Sequence, residues 1–347
     1  MPDMNENNIL QIYSQLDPLK EIWIGDTYPE AFYKNFDRRT QDIFGQITNI
    51  TKKELNKLCT KLQELGVRVV RPRFEDKIDH YIDARDRLIK PPICPADWAI
   101  TIGKTLFILP QYYSGIEPFQ HAIDSYKSNN QNIVILKRNE LLSYLIFPSI
   151  TRLGKDLFID YPNIDPSYKE AAILLAEKLQ TDYRVHLSDT GDHSDGVFCP
   201  LKDKQLMTNR YRSKYGNTFP GWNVHHIKIK RKNPSHNFKW WLPGDHFASF
   251  NNEIIKVAND WLGNPWESIF NVNNIVVDDK NIIVSERDER SIEHLESIGF
   301  NVHVINLDTQ YFWDSGLHCL SADIFRQGDL TDYWPNRGNN GIYYTNE

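Results

Sequence analysis

A weak internal repeat limits what this chain can fold into. Four segments open with polar turn-forming residues and close with β-branched or aromatic ones, which is typical of the second strand of a hairpin: residues 103–108, 154–159, 202–207 and 279–284. Five apolar stretches predict a further strand in each repeat, at residues 67–70, 133–136, 183–187, 222–227 and 300–307. A recurring supersecondary unit marks a repeat architecture. We therefore predict five ββαβ modules.

The two ends of the chain are predicted to meet in the first module. This module has strands at residues 21–24 and 67–70 but no hairpin of its own. Residues 320–325 can supply the missing strand, and pairing of the two ends removes exposed sheet edges. The prediction is one domain over residues 1–347, a five-bladed ββαβ α/β propeller, with residues 1–15 as a mobile N-terminal segment. Two separate α/β domains are the alternative.

Helix signals lie between the predicted second and third strands. Thr51-Lys52-Lys53-Glu54 matches a capping box and predicts a helix start, and Gly66 predicts the end of that helix. Asp165-Pro166 places an N-cap before a proline at the first helical position. Gly299 predicts the end of another helix. The apolar stripes are Leu55, Leu58, Cys59, Leu62 and Leu65 in the first helix, and Ile292, Leu295 and Ile298 in the last.

Composition excludes several classes of protein. The net charge of the 347 residues is −6, which does not favour a nucleic-acid partner, and the basic run at 228–232 is interpreted as a solvated strand end. The sequence has no apolar run of the ~20 residues that cross a bilayer and no signal-peptide pattern at its start. The four cysteines include no CxxC pair. Free thiols in a reducing, cytoplasmic setting are expected.

Three short polar segments could carry chemistry: residues 95–97, 191–196 and 315–320. In the repeat, each lies at a strand end near the central axis, so we expect them to converge. Cys319 is the candidate nucleophile and His193 its partner, because a thiol with a pKa near ~8.5 needs an imidazole or a cation nearby to ionise at neutral pH. Asp97 and Asp195 are carboxylates that could bind a guanidinium by charge-assisted hydrogen bonds. This set fits attack on a planar, cationic carbon.

The four cysteines are not equivalent candidates. Cys59 lies on an apolar helix stripe and Cys199 follows apolar strand residues, so both are predicted to be core residues. Cys94 lies in a proline-rich loop, and its role is left open. Cys319 follows a glycine and a histidine after a polar turn, where the chain can pass close to a ligand.

Other motifs give no competing assignment. The sequence lacks the nucleotide-binding glycine patterns, H-E-x-x-H and G-x-S-x-G, so no cofactor or metal is predicted. His225 and His226 are adjacent in a predicted strand and point to opposite faces. The aromatic segment 240–250 fits a lid over a substrate or simple packing.

These residues lie in segments that resemble the glycine amidinotransferase family of the guanidino-modifying enzymes. The most specific matches are His193-Ser194-Asp195, which is similar to the family's His-x-Asp, and Gly316-Leu317-His318-Cys319, which is similar to its nucleophile motif. Supporting matches run through most of the chain: residues 16–21 with Ile24-Gly25, Pro91-Pro92 with Pro95-Ala96-Asp97, and residues 152–158. Ala96 stands where the family has an arginine.

The resemblance implies a five-bladed, pentein-like α/β propeller and a ping-pong reaction. Cys319 would attack the guanidino carbon of a donor, usually arginine, and His193 would protonate the leaving amine. The amidino group would then pass from the cysteine to an acceptor amine. Asp97 and Asp195 would hold the guanidinium, and Arg212 would bind a substrate carboxylate. The partners are thus a small guanidino donor and an amine acceptor, with no nucleic acid, membrane or cofactor, and a homodimer is left open.

One departure from the family concerns the catalytic histidine. The family places an aspartate about six residues before the arginine at 152, where it orients and charges that histidine. Here the stretch is Ile146-Phe147-Pro148-Ser149, without a carboxylate. Loss of such a group can cost up to ~10⁴-fold in rate. The candidate substitutes are Ser149, Asp160, Asp189 and Asp192. A hydrolase on the same scaffold and a non-catalytic binding protein therefore stand as alternatives.

Overall fold

The computed structural model describes residues 9–34, 36–75, 81, 88–109, 116–137, 140–189, 193–209, 215–227, 269–285 and 288–345. Several residues discussed above lie outside these ranges. They are Asp192, Arg212, the basic run at 228–232 and the aromatic segment at 240–250. None of the helices within the described ranges is both long and apolar enough to cross a membrane.

The fold is α/β. Its strands are β1 (Leu19–Ile24), β2 (Arg68–Val70), β3 (Ala99–Ile102), β4 (Thr105–Ile108), β5 (Asn132–Ile135), β6 (Ile150–Leu153), β7 (Asp156–Asp160), β8 (Arg184–Ser188), β9 (Phe198–Lys202), β10 (Gln205–Thr208), β11 (Asn223–His226), β12 (Ile275–Val276), β13 (Asn281–Val284), β14 (Asn301–Val304), β15 (Ser321–Arg326) and β16 (Gly341–Tyr344). Its helices are α1 (Arg38–Glu64), α2 (Ile116–Ser128), α3 (Pro166–Leu179), α4 (Tyr215–Thr218), α5 (Glu289–Ser297) and α6 (Gln310–Trp313).

The predicted modules are present as five small sheets in the described part of the chain. Their strand orders are β15-β1-β2, β3-β4-β5, β6-β7-β8-β16, β9-β10-β11 and β12-β13-β14. In four of them an antiparallel hairpin is followed, after a connection, by a parallel strand. Positive φ angles at Gly103, Gly154 and Lys204 close three of the hairpins. The predicted strand pattern is therefore confirmed.

Strand β15 completes the first module. It pairs antiparallel with β1, which also pairs in parallel with β2. This is the pairing of the chain's two ends that the sequence predicted for residues 320–325. It places the segment that leads into β15, which includes Cys319, beside the end of β1, where the amide of Gly25 donates to the carbonyl of Leu320.

Helix α1 begins earlier than the sequence predicted. Asp37 is its N-cap and accepts a hydrogen bond from the amide of Thr40, so the helix runs through the expected start at Thr51. The hydroxyl of Thr51 donates to the carbonyl of Ile47 and accepts from Nε1 of Trp313. The capping-box prediction was wrong because Asp37 caps the helix instead, and the side chains of Thr51 and Glu54 bind Trp313 and residues 308–309.

The predicted helix ends are confirmed. At the end of α1, Gly66 has φ +81°, and Val67 donates to the carbonyl of Leu62. This is a Schellman motif, which needs a left-handed residue after the helix. Gly299 has φ +87° after α5. Asp165 caps α3 ahead of a proline, as predicted.

Residues near both ends of the described chain pack onto the modules. Residues 9–15 do not form the mobile segment predicted for 1–15: Leu10 and Ile12 are buried, and Ile12 exchanges backbone hydrogen bonds with Gly103. At the other end, β16 pairs with β8. Arg184 of β8 forms ion pairs with Asp156 of β7 and with Asp332 in the segment that precedes β16.

Candidate active site

The candidate residues occupy equivalent places in different modules. Asp97 ends a 3₁₀ turn (Pro95–Asp97) just before β3, and Asp195 lies in a 3₁₀ turn (Ser194–Gly196) just before β9. Cys319 comes two residues before β15. Each residue therefore precedes the first strand of its module's hairpin, or, for Cys319, the strand that completes the first module. The repeat itself brings the three segments to the same end of their strands.

Short turns connect these segments in space. The turn that ends at Asp97 packs against the turn Phe147–Ser149, which packs in turn against Ser194–Gly196. The hydroxyl of Ser194 donates to the carbonyl of Pro148 at 3.1 Å. The turn that carries Asp97 also packs against β15.

The sulfur of Cys319 lies in a polar environment although its residue is only 5% exposed. The thiol donates to Oδ2 of Asp195 at 3.5 Å, and Nδ2 of Asn273 donates to Sγ at 3.2 Å. The first of these hydrogen bonds joins the predicted nucleophile to Asp195, one of the two carboxylates predicted to bind a guanidinium. A core cysteine among aliphatic side chains would have neither.

The two carboxylate oxygens of Asp195 differ in their hydrogen bonding. Its Oδ2 lies 2.9 Å from Nδ1 of His318. Its Oδ1 is buried and has no hydrogen-bond partner within the part of the chain that the structure describes. A buried oxygen without a partner is costly unless a ligand or water completes it. The carboxylate can therefore accept a further N–H group beside the sulfur of Cys319.

Charge around Cys319 favours a cation in the site. Burial and the negative charges of Asp195 and Asp97 raise the pKa of the Cys319 thiol well above its ordinary value. Burial also raises the pKa of Asp195, but the hydrogen bond from His318 and the charges of His318 and His193 bring it below its usual range. An ionised carboxylate thus adjoins a thiol that is protonated in the free protein.

Asp97 carries the second carboxylate, and Lys90 is near it. Burial raises the pKa of Asp97 to about 6, although Lys90 and His193 lower it. Lys90 donates to the carbonyl of Trp313 at 3.4 Å. Burial lowers the pKa of Lys90, but Cys94, Asp97, Asp314 and Cys319 outweigh that effect and raise it. Lys90 is thus a cation whose charge acts on both Asp97 and Cys319.

His193 lies at the N-cap of the Ser194–Gly196 turn, and its side chain is exposed. Its charge lowers the pKa of Asp97 and of Asp195, so it lies within electrostatic range of both carboxylates. Among the described residues, the hydrogen-bond partners of the Cys319 sulfur are Asn273 and Asp195 rather than His193. The structure therefore brings His193 to the same group of charges, without a direct bond to the thiol.

The candidate substitutes for the family's missing carboxylate lie in different places. Ser149 is buried in the turn next to Ser194, whereas Asp160 and Asp189 lie near Tyr161, whose pKa is raised by burial and by the negative charges of these aspartates. In the part of the chain that the structure describes, the charge of His193 acts on the carboxylates of Asp97 and Asp195.

The other cysteines have separate surroundings. All four are free thiols. Cys199 is buried as predicted, whereas Cys59 is only partly buried and its sulfur accepts a hydrogen bond from Arg71 at 3.0 Å. Cys94, left open by the sequence, is buried and lies 2.7 Å from the hydroxyl of Ser315. Burial raises the pKa of its thiol to about 12, so it is a poor nucleophile.

Three residues of the site were missed in the sequence: Lys90, Asn273 and His318. Lys90 lies next to motif residues and His318 lies within the nucleophile motif, so their positions were a usable signal. Asn273 has no such signal, because an asparagine before a predicted strand is ordinary turn chemistry.

No group of three potential metal ligands is assembled among the described residues. His225 stacks on His294, with ring centroids 3.4 Å apart, so the histidine pair at 225–226 is divided between two environments.

Comparison with known proteins points to one group of enzymes. No protein-family model matches the chain. An L-arginine:L-lysine amidinotransferase of Pseudomonas savastanoi pv. phaseolicola is 24% identical over 188 residues, which is 53% of this chain and 44% of that protein. The mitochondrial glycine amidinotransferase of Gallus gallus is 24% identical over 191 residues, 53% of this chain and 39% of that protein. The matches span less than half the length of either relative.

Solved structures agree over most of the chain. SxtG, an amidinotransferase from Microseira wollei, has a TM-score of 0.69 at 16% identity, covering 94% of this chain and 99% of its own. The inosamine-phosphate amidinotransferase StrB1 from Streptomyces griseus has a TM-score of 0.70 at 19% identity, with the same coverage. A dimethylarginine dimethylaminohydrolase has a TM-score of 0.55 at 12% identity and covers 88% of this chain and 99% of its own. Together the curated and structural comparisons show that the chain is similar to amidinotransferases and shares their α/β fold.

Proposed function

We propose that this protein transfers an amidino group from a guanidino donor, with L-arginine as the first candidate, to an amine acceptor through a covalent intermediate on Cys319. One observation carries the proposal. The Cys319 sulfur lies 3.5 Å from Oδ2 of Asp195, whose Oδ1 has no partner among the described residues. A guanidinium that donates to this carboxylate would place its planar carbon beside the sulfur.

The two carboxylates would bind the donor. A guanidinium presents N–H groups in a plane, and charge-assisted bonds to carboxylates are stronger than neutral ones. The positive charge of the donor also favours the thiolate, because an adjacent cation offsets the negative charges that raise the pKa of Cys319. Binding of the donor and activation of the nucleophile would thus be linked.

The reaction would proceed in two half-reactions. The thiol proton passes to His193, the sulfur forms a bond to the guanidino carbon, and the bond from that carbon to the donor nitrogen breaks as His193 returns the proton to the leaving amine. An amidino-cysteine remains. The acceptor amine then attacks this carbon, gives its proton to His193, and displaces the sulfur. Arg212 would bind a substrate carboxylate, as its position in the family pattern implies.

We further propose that the five sheets are the blades of one ring, a five-bladed α/β propeller of the pentein type. The pairing of β15 with β1 supports this, because it joins the two ends of the chain in one module. The equivalent positions of Asp97, Asp195 and Cys319 before the first strands would then face one central site.

Mass spectrometry of the Cys319 peptide tests the function. After incubation with arginine, we expect a mass gain equal to one amidino group in place of the thiol proton, and its disappearance when a primary amine is added. Cys319→Ala should lose turnover, whereas Cys59→Ala, a cysteine on α1, should keep it. An unmodified Cys319 with every guanidino donor tried, together with full activity of Cys319→Ala, would exclude the proposal.

A hydrolase is the second candidate, because the dimethylaminohydrolase shares the fold over 88% of this chain. In that case water would take the place of the acceptor amine. Release of urea or citrulline without any acceptor would favour hydrolysis over transfer. Tight arginine binding without turnover would instead indicate a non-catalytic relative, as the missing carboxylate near His193 allows.

A further inference from the structure

Asn273 contacts the sulfur of Cys319, and none of the roles given above uses it. The residue is completely buried and comes two residues before β12. Its side chain reaches into the segment that carries the cysteine. A buried amide that touches a candidate nucleophile can act on the charge of that nucleophile directly.

The orientation of the Asn273 amide is fixed by its neighbours. Its Oδ1 accepts from the backbone amides of His318 and Cys319, at 2.8 and 3.1 Å. Its Nδ2 donates to the backbone carbonyl of Asp195 at 3.2 Å. A backbone N–H can only donate and a carbonyl can only accept, so the reversed amide would lose all three bonds. The group that faces the sulfur at 3.2 Å is therefore the NH₂ group.

We propose that Asn273 is a further catalytic residue, which stabilises the Cys319 thiolate by donating an N–H to its sulfur. The role rests on the proposed function, in which Cys319 is the nucleophile. A hydrogen bond to the charged form of a group favours that form. Nδ2 carries two hydrogens, so it can donate to the backbone carbonyl of Asp195 and to the sulfur of Cys319 together.

A neutral donor suits this position. The site must hold a cationic guanidinium next to the sulfur, and Asp195 and Asp97 both disfavour a thiolate in the free protein. A lysine or arginine against the sulfur would favour the thiolate but would repel the substrate. An amide lowers the free energy of the thiolate without adding a charge. Its Oδ1 also holds the backbone of Cys319 and thereby fixes where the sulfur lies.

The alkylation rate of Cys319 tests this role. We would measure the rate with iodoacetamide against pH in wild type, Asn273→Ala and Asn274→Ala, reading modification of the Cys319 peptide by mass spectrometry. Asn274 is the matched control, because its buried amide donates to the carbonyl of Asn271 rather than to the sulfur. In Asn273→Ala we expect the rate at neutral pH to fall about tenfold and its midpoint to move to higher pH. An unchanged midpoint in a folded Asn273→Ala protein would overturn the proposal.

A second measurement does not need Asn273→Ala to fold. In wild-type protein labelled with ¹⁵N asparagine, one side-chain amide proton of Asn273 should shift as the thiol titrates. The shift should be absent in Cys319→Ser. The proposal would also be overturned if the chemical shift of the Asn273 amide stayed constant while the ultraviolet absorbance of the Cys319 thiolate appeared, that is, the absorbance that Cys319→Ser lacks. Neither measurement uses a guanidino donor, so a failure of amidino transfer is distinguishable from a failure of thiolate stabilisation.

Discussion

Nδ1 of His318 lies 2.9 Å from Oδ2 of Asp195, so the residue before the proposed nucleophile holds a carboxylate proposed to bind the substrate. This bond helps to keep the Asp195 pKa below its usual range despite burial. Among the described residues, the partners of the Cys319 sulfur are Asn273 and Asp195, not the ring of His318. We therefore treat it as a positioning residue, which acts through Asp195.

Removal of this support should weaken donor binding more than turnover. We expect His318→Leu to raise KM for the guanidino donor about tenfold, since hydrogen bonds to charged groups contribute about 1.5–3 kcal/mol. His318→Asn should restore most of the loss, because its amide nitrogen can take the place of Nδ1. Steady-state kinetics of both variants checks this. Equal KM values in His318→Leu and wild type would show that Asp195 needs no support.

The two carboxylates should each contribute to recognition of a cation. In a Cys319→Ser background, which prevents turnover, Asp97→Asn and Asp195→Asn should each weaken arginine binding by about 10- to 100-fold. Calorimetric titration gives the affinity. Asp182→Asn is the control, an exposed aspartate after α3. Loss of affinity in that control as well would indicate a general charge effect instead of a site.

Donor binding should weaken at acid pH because Asp97 becomes protonated and loses its negative charge. Its pKa is raised to about 6, so this carboxyl loses its charge as the pH falls through about 6, well above the 3.8 of an ordinary aspartate. We expect arginine affinity in the Cys319→Ser protein to fall between pH 7 and pH 5. Asp97→Asn should remove that dependence, since an amide does not titrate in this range. A dependence retained in Asp97→Asn would assign it to another group.

The raised pKa of Asp97 also affects the stability of the fold, and here the effect of pH is the reverse: acid favours the folded state. A carboxyl whose folded pKa exceeds its unfolded value favours the fold when protonated, and this contribution is lost as the pH rises from about 4 through about 6. Asp97→Asn should therefore raise Tm, with a gain that grows over this interval and levels off above it. Thermal melts of both proteins from pH 4 to pH 8 check the sign. A Tm that falls in Asp97→Asn at pH 8 would contradict it.

The sequence predicted the modules better than it predicted the site. Hairpins and third strands follow from local turn and β-branched patterns, and the pairing of β15 with β1 follows from counting strands. The predicted start of α1 was wrong because Thr51 and Glu54 bind Trp313 and residues 308–309. These partners lie more than 250 positions away in the sequence. A capping pattern uses only residues within a few positions of each other, so it does not predict such partners. Asn273 was missed for the same reason, since its importance lies in bonds to residues 45 and 46 positions later.

Binding of the donor should itself ionise Cys319. Burial and the charges of Asp195 and Asp97 keep the thiol protonated in the free protein. A bound guanidinium reverses that local charge balance, so an unreactive guanidino analogue should increase the ultraviolet absorbance of the thiolate near neutral pH. Cys319→Ser should show no increase. Full thiolate absorbance in the free wild-type protein would contradict the assignment of the cation as the activating charge.

Gly316 offers a test of the site that removes no chemical group. A Cβ added there would lie 2.6 Å from Cβ of Asn273 and 2.7 Å from its Cγ, closer than side chains can approach. Gly316→Ala should therefore displace the Asn273 amide from the sulfur and slow alkylation of Cys319, while every titratable group of the site remains. Gly45→Ala in α1 is the matched control, since its added Cβ meets nothing within 4 Å and alanine favours the helix by about 0.5–1 kcal/mol. The control should raise Tm slightly and leave the alkylation rate unchanged. If Gly316→Ala also reacts at the wild-type rate, the position of Asn273 does not govern the thiol, and the hydrogen bond between them has no part in its reactivity.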